Sequence, residues 1–236
     1  MTAPFRVFSG FDSRQAEAAE VFAFSVRENA SVHVDVQFIS ADHAESAGLA
    51  VFIRDDRQHE IAAGHSRAIE RAWSRRGTTA FSYARFLVPY ACNYEGIAAF
   101  FDGCDQLCLG DVAELAAMDM SGYAIRVVKH RAEGQVRPRI WSSVMLMDCA
   151  KLTAWTPEYV ETASDNDLMR FKALGHGSIG ALPEAWNVLV EPGNDPPPGT
   201  KLAHWTSLSN PNGGSWIDRG GSAVWCEWRE RWRVAG

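Results

Sequence analysis

The sequence lacks the features that mark several large classes of protein. No stretch approaches the ~18 uninterrupted apolar residues of a membrane-spanning helix, and no basic segment followed by an apolar run opens the chain, as a secretory signal would. The five cysteines are an odd number and include no CxxC pair, which disfavours a disulfide framework or a zinc knuckle. We therefore expect a soluble, cytoplasmic protein with reduced thiols.

An excess of basic charge is also missing. The chain has 23 Lys and Arg against 29 Asp and Glu, a net charge of −6, so we expect no nucleic-acid partner. Hydrophobic residues at 47% and charged residues at 22% are ordinary for a globular protein. A length of 236 residues suits one α/β domain with a small appendage.

Hydrophobic patterning predicts that the chain opens with a βαβ unit. An apolar strand over 5–9 precedes a helix over 13–29, and apolar residues then alternate over 32–38 as in a second strand. Such a unit favours a partly parallel sheet. Further along, the sequence predicts strands at 97–101, 123–128 and 143–147, and helices at 58–75, 81–91 and 112–118.

Two carboxylates follow the most apolar predicted strand. Asp102 and Asp105 come directly after the run at 97–101, at the edge of an α/β sheet where ligands bind. Close carboxylates repel unless a cation lies between them, and oxygen ligands suit Mg²⁺ or Mn²⁺. His204, just after a short apolar stretch, is a third candidate ligand. Loop-capping aspartates and a structural histidine are the alternative interpretation.

Six motifs in a fixed order carry a resemblance to a known family. They occupy residues 7–12, 81–89, 100–115, 141–146, 182–187 and 204–206. Their order resembles that of the family-8 glycosyltransferases and their bacterial relatives, which have a GT-A fold, and the resemblance extends to about residue 219. It implies a Rossmann-like mixed β-sheet flanked by helices, with a glycosyltransferase domain at 1–219 and a Trp- and Arg-rich helix at 220–236.

The resemblance also implies an activity. It points to a metal-dependent retaining glycosyltransferase that moves a sugar from a nucleotide-sugar donor, most often UDP-linked, to a glycan or lipid-linked acceptor. The DxD-like motif would bind Mn²⁺ or Mg²⁺ through Asp102 and Asp105, joined by His204. A non-catalytic nucleotide-sugar or glycan-binding protein of the same fold is the alternative.

Further site residues follow from the same resemblance. Asp165 and Asn166 would contact the donor sugar and stabilise its developing positive charge, and Asn187 would line the acceptor side. Ser142 and Ser143 are consecutive on a strand and point to opposite faces, so at most one is expected to face the site. The residues expected to bind the donor nucleotide are Phe8, Ser9, Gly10, Phe11, Arg85, Cys104, Ser142 and Ser143.

Two departures from the family pattern bear on activity. The metal motif has one extra residue, Gly103, which we expect to form a bulge with an unusual φ, and this makes Asp105 the firmer metal ligand. The closing motif at 212–216 lacks the family's phosphate-binding lysine. Both departures keep the binding-protein alternative open. A nucleotidyltransferase is disfavoured because residues 9–14 form a poor Gly-rich basic loop.

The carboxyl-terminal segment has an amphipathic pattern. Trp225, Trp228 and Trp232 recur at helical spacing among arginines. Such a helix can lie on an anionic membrane surface, so a peripheral membrane contact is one expectation. Packing of the tryptophans on the domain is the other.

Overall fold

The fold was examined in a computed structural model that describes residues 3–11, 15–44, 48–54, 60–62, 65–66, 83–130, 139–191, 193–205 and 222–236. The strands in these ranges are β1 Phe5–Gly10, β2 Val34–Ala44, β3 Gly48–Arg54, β4 Glu60–Ala62, β5 His65–Ser66, β6 Ile97–Phe101, β7 Gln106–Cys108, β8 Ile125–His130, β9 Arg139–Asp148, β10 Ile179–Leu182, β11 Val188–Leu189 and β12 Leu202–His204. The helices are α1 Ala16–Asn29, α2 Val88–Ala91, α3 Ala113–Ala116, α4 Pro157–Thr162, α5 Asp165–Met169 and α6 Ala223–Ala235. Within the described ranges, 3-10 turns lie at Ala84–Leu87, Cys149–Lys151, His176–Ser178 and Glu184–Asn187.

The strands form a large mixed sheet and a small one. The large sheet has the order β10-β8-β9-β6-β1-β2-β3-β4, with β5 paired to β3, and the small sheet has the order β11-β12-β7. Strand β1 runs parallel to β2 and β6, whereas β9 runs antiparallel to β6 and β8. This confirms the predicted Rossmann-like mixed sheet flanked by helices.

The centre of the large sheet is apolar because it is covered on both faces. Strand β6 reads Ile-Ala-Ala-Phe-Phe, and its last four residues are completely buried. Its register places Phe101 beside Ser9 of β1, so both parallel strands end at the same edge of the sheet. The loops that follow β1 and β6 therefore emerge together, and this edge is where the candidate site lies.

Most predicted elements are present, and one is wrong. The βαβ opening and the strands near 97–101, 123–128 and 143–147 are confirmed. The helix predicted over 58–75 is replaced at its start by β4 and β5, which pair with β3, while residues 67–75 lie outside the described ranges. Hydrogen bonds to the preceding strand β3 decide this segment, and a local apolar count does not register them.

Helix α6 packs on helix α1. Trp225 and Trp228 are buried and lie in a cluster with Ala18 and Val21 of α1. The ring of Phe24 meets the ring of Trp228 edge-on, with 6.0 Å between their centroids. The packing interpretation of the tail is therefore confirmed for these two tryptophans.

The arginines of α6 pair with acids on α1. Arg229 donates to both carboxylate oxygens of Glu17 at 2.8 and 3.1 Å, Arg233 also reaches Glu17 at 3.0 Å, and Arg231 reaches Glu28 at 3.2 Å. These ion pairs neutralise the arginine charges that would attract an anionic membrane surface. The peripheral membrane contact stays a prediction. Among the described residues, no helix has both the length and the apolar character needed to cross a membrane.

The Glu17 ion pairs predict how stability depends on pH. The hydrogen bond from Arg229, together with the charges of Arg229 and Arg233, lowers the pKa of Glu17 below its ordinary 4.5 despite partial burial. A lowered carboxyl pKa stabilises the fold above pH 4.5, and this contribution is lost as the pH falls through the lower folded-state pKa.

The variant Glu17→Gln tests this dependence. At pH ~7 we expect it to unfold about 2–4 °C below the wild type, because about 1 kcal/mol of ion pairing is removed. The difference should shrink below pH 4.5. Thermal unfolding followed by circular dichroism measures both. Glu227→Gln, at an exposed position of α6, is the control. A difference that persists in acid would contradict the assignment.

Candidate functional site

The loop at 102–105 carries the chain from β6 of the large sheet into β7 of the small sheet. At its start the Asp102 N–H donates to the Ser143 carbonyl of β9 at 3.0 Å. At its end, β7 pairs antiparallel with β12, with Gln106 opposite His204, and the Trp205 N–H donates to the Asp105 carbonyl at 2.9 Å. This pairing brings His204 beside Asp105, although 98 residues of chain separate them.

Asp105 and His204 form a buried polar pair. Asp105 Oδ1 lies 3.4 Å from His204 Nε2, with side chains 8% and 4% exposed. The other ring nitrogen, Nδ1, lies 2.8 Å from Asn187 Oδ1. Burial alone would lower the pKa of His204, but the nearby charges of Asp105 and Asp102 outweigh burial, and the pKa is raised.

Asp102 and Arg85 form a second buried pair. Arg85 Nη2 lies 2.8 Å from Asp102 Oδ1, and Arg85 Nη1 donates to Ser142 Oγ at 2.8 Å. The guanidinium also lies 5.3 Å from the centroid of the Phe100 ring. Burial raises the pKa of Asp102, Arg85 opposes that effect, and the charge of Asp105 adds to it. Arg85 therefore offsets part of the free-energy cost of burying the Asp102 carboxylate.

Consecutive serines on β9 support the two pairs. Ser142 Oγ accepts from Arg85, whereas Ser143 Oγ accepts from Asn187 Nδ2 at 3.0 Å. Successive side chains point to opposite sides of the strand, and polar residues of the site lie on both sides. That at most one of these serines faces a donor stays a prediction.

Two carboxylate oxygens in the site accept no hydrogen bond from the described residues. They are Asp102 Oδ1 and Asp105 Oδ1, which are both buried, and Arg85 and His204 lie within ion-pair distance of them. Buried oxygens of this kind are costly unless a positive charge satisfies them. Arg85 supplies that charge beside Asp102, and His204 is the partner beside Asp105.

The predicted metal ligands are brought together only in part. Asp105 and His204 are adjacent, whereas Asp102 is engaged by Arg85. Within the described ranges no group of three or more His, Cys, Asp or Glu side chains is arranged to hold a metal ion. Asp105 and His204 place a carboxylate oxygen beside an imidazole nitrogen, and the metal roles of Asp102, Asp105 and His204 all stay predictions.

Most of the residues predicted to bind the donor on β1 are buried. Phe8 is in the core, Ser9 is fully buried with its Oγ 3.3 Å from the Gly10 carbonyl, and Cys104 Sγ donates to that carbonyl at 3.5 Å. The side chains of Phe8, Ser9 and Cys104 are therefore largely shielded from solvent, and donor contact by these residues stays a prediction. Phe11 is half-buried, and its donor contact stays a prediction.

Gly103 has the unusual backbone that the extra residue in the motif predicted. Its φ is +79°, and a Cβ at this position would overlap the Oγ of Ser9. A glycine here lets the metal-motif loop cross directly over the end of β1. Gly103 thus fixes the path of the chain between Asp102 and Asp105.

The predicted sugar and acceptor residues differ in exposure. Asn187 is fully buried and hydrogen-bonded to Ser143 and His204, and its acceptor contact stays a prediction. Asn166 is exposed on α5. The roles of Asp165 and Asn166 stay predictions.

One buried site residue was missed by the sequence analysis. Gln106 is fully buried, accepts from the Gly103 N–H at 3.1 Å and donates to the Ser143 carbonyl at 3.2 Å. It therefore ties the metal-motif loop to β9. The sequence feature that could have identified Gln106 is a single amide side chain in the otherwise apolar stretch after Asp105.

Comparison with known proteins gives a family. Protein CDI of Arabidopsis thaliana is 32% identical over 254 residues, which cover 97% of this chain and 85% of that protein. The chain belongs to the family of Protein CDI. No protein-family model matches the sequence.

Solved structures show the fold of this CDI-family chain. The galactosyltransferase LgtC, in complex with donor and acceptor sugar analogs, matches with a TM-score of 0.62 at 15% identity over 96% of each chain. The glycosyltransferase GlyE of Streptococcus pneumoniae TIGR4 matches with a TM-score of 0.60 at 14% identity, over 99% of this chain and 62% of that one. The GT-A type fold is thereby confirmed.

Replacing Gly103 and Gly193 by alanine separates backbone strain from side-chain overlap. The two glycines have φ of +79° and +81°, but a Cβ at Gly193 meets nothing within 4 Å. We expect Gly193→Ala to cost about 1–2 kcal/mol, and Gly103→Ala about 1–3 kcal/mol more because of Ser9. Urea unfolding measures the difference. Equal losses would show that Gly103 is not packed against β1.

Proposed function

We propose that this chain is a glycosyltransferase that takes a sugar from a nucleotide-sugar donor with the help of a divalent cation held by Asp105 and His204. The observation that carries the proposal is the buried pair of these side chains at the carboxyl edge of parallel strands, where Asp102 Oδ1 and Asp105 Oδ1 accept no hydrogen bond from the described residues. That edge is where α/β sheets bind ligands. The GT-A fold gives the pair its context.

The residues present fit a small divalent cation. A carboxylate oxygen and an imidazole nitrogen are ligands that Mn²⁺ accepts, and one or two protein ligands suffice when substrate phosphates supply the rest. The buried oxygens of Asp102 and Asp105 add negative charge that favours a cation. When bound, such an ion neutralises charge that develops on the departing diphosphate.

The chain's own residues have distinct tasks under this proposal. Asp105 and His204 hold the ion, while Arg85 places a fixed positive charge beside Asp102. Trp141 meets the His204 ring edge-on at 6.4 Å and helps to keep water away from it. Low local dielectric strengthens each of these interactions.

The proposal also covers the classes of sugar donor and acceptor. LgtC is a galactosyltransferase crystallised with donor and acceptor sugar analogs, and GlyE is a glycosyltransferase, which supports a sugar donor and a sugar acceptor here. From the family-8 resemblance we propose a UDP-linked donor, transfer with retention, and a glycan or lipid-linked acceptor. Asp165 and Asn166 are proposed to contact the donor sugar.

A non-catalytic nucleotide-sugar-binding protein is the second candidate function. The observation that favours it is the ion pair of Asp102 with Arg85, because it engages one of the two motif carboxylates. The absence of the family's phosphate-binding lysine from residues 212–216 also favours a binding protein. Binding without turnover distinguishes this candidate from an enzyme.

The variant Asp105→Asn tests the proposed role of the carboxylate. We expect Mn²⁺-dependent UDP binding, measured by calorimetry, to weaken roughly 30-fold or more, since removing one partner of a buried charge pair costs about 2–5 kcal/mol. The circular dichroism spectrum should be unchanged. His204→Gln should weaken binding less. Asp119→Asn, at an exposed turn, is the matched control.

A screen of UDP-sugars for metal-dependent donor hydrolysis separates the two candidate functions. Turnover by the wild type that is lost in Asp105→Asn supports the enzyme. Tight UDP binding with no turnover of any donor supports the binding protein. Unchanged UDP affinity in Asp105→Asn would refute the metal assignment.

A further inference from the structure

Two buried cysteines lie together at the end of the large sheet that is opposite the candidate site. Cys92 follows helix α2, in the turn that leads to β6, and Cys149 directly follows β9. Strands β6 and β9 are antiparallel, with Ile97 opposite Asp148, and the Cys149 N–H donates to the Gly96 carbonyl at 3.0 Å. The strand pairing therefore holds the backbone at Cys149 beside the turn that begins at Cys92.

The two thiols form a hydrogen-bonded pair. The Cys149 thiol donates to the sulfur of Cys92, and this bond lowers the pKa of Cys92 despite burial. The charge of Arg6 also lowers that pKa, whereas Asp35 opposes the change. The same hydrogen bond, together with burial, raises the pKa of Cys149. The pair thus joins a thiol that ionises more readily to one that stays protonated, as an attacking and a resolving cysteine do.

The turn that begins at Cys92 lies at the surface and has an unfavourable backbone. Asn93 and Tyr94 have φ of 52° and 56°, in the left-handed region that residues with a side chain rarely adopt. Asn93 and Glu95 are exposed. Arg6 holds the turn by donating to the Cys92 carbonyl at 3.4 Å and to the Glu95 carbonyl. The thiols therefore lie directly beneath a surface turn, and a local opening of this turn is sufficient to expose Cys92.

We propose that Cys92 and Cys149 are a redox-modification site that hydrogen peroxide converts to a reversible disulfide. The Cys92 thiolate attacks a peroxide oxygen, which breaks the O–O bond, forms a sulfenic acid and releases hydroxide. The proton that Cys92 lost converts this hydroxide to water. The Cys149 sulfur then attacks the sulfenic sulfur, and the hydroxyl group leaves with the Cys149 proton as a second water. Two thiols are oxidised, one peroxide is reduced, and a dithiol reductant reverses the reaction by exchange.

The disulfide would tie the start of β6 to the end of β9 and close a long loop of the chain. Closing a loop stabilises a fold mainly by restricting the unfolded chain. We therefore expect the oxidised protein to unfold about 5–10 °C above the reduced protein. The site lies at the opposite end of the sheet from Asp105 and His204, so this inference does not depend on the proposed sugar transfer.

Peptide mapping of the folded, full-length protein tests the proposal. The reduced protein is treated with a small molar excess of hydrogen peroxide, its remaining thiols are alkylated, and it is digested without reduction. We expect the peptides that contain Cys92 and Cys149 to be recovered as one linked species, lighter by two hydrogen atoms, which dithiothreitol separates. No link in the folded protein, or a link that forms only after unfolding in urea, overturns the proposal.

Serine variants test the order of attack, in a Cys226→Ser background that removes the exposed thiol. In Cys149→Ser we expect the Cys92 sulfenic acid to persist and to react with dimedone, whereas Cys92→Ser should give no adduct at Cys149. An adduct at Cys149 in Cys92→Ser overturns the proposed order.

Cys108→Ser is the matched control for burial. The Cys108 thiol donates to the Gly110 carbonyl at 3.3 Å, and burial raises its pKa to about 12, so it should take no part. This variant should form the link between Cys92 and Cys149 as the wild type does, and loss of the link would overturn the proposal. If either serine variant at Cys92 or Cys149 does not fold, the wild-type peptide map still decides whether the disulfide forms.

Discussion

The burial of two carboxylates in a site largely shielded from water is the main physical constraint on this structure. Asp102 and Asp105 are withdrawn from water at the end of the central strand, and a buried carboxylate is costly unless positive charge and hydrogen bonds surround it. Arg85 lies beside Asp102, and His204 lies beside Asp105. Arg85 is hydrogen-bonded to Ser142, and His204 contacts Asn187, so a neutral polar residue supports each of them.

The small sheet explains how residues so far apart in sequence meet. Strand β7 continues directly from the metal-motif loop, and its pairing with β12 returns His204 to the edge of the large sheet. Strand β9 supplies the remaining support through Ser142 and Ser143, one on each face. The same architecture in LgtC and GlyE shows that this arrangement of sheets belongs to the GT-A fold.

Local pattern predicted the βαβ opening, the buried strand β6 and the closeness of Asp105 to His204. It failed where pairing between strands decides the outcome. Strands β4 and β5 depend on hydrogen bonds to β3, and the burial of Asn187 depends on the pairing of β11 with β12. The burial of Phe8 was not predicted either, because a motif shows which residues are near a site but not which way each side chain points.

Anomalous diffraction at the manganese edge, from a crystal grown with Mn²⁺ and UDP, would locate the ion. We expect one strong anomalous peak bonded to an Asp105 carboxylate oxygen and to His204 Nε2, with phosphate oxygens of UDP completing the coordination. A nucleotide bound with no anomalous peak at this pair, or a peak held by other residues, would contradict it.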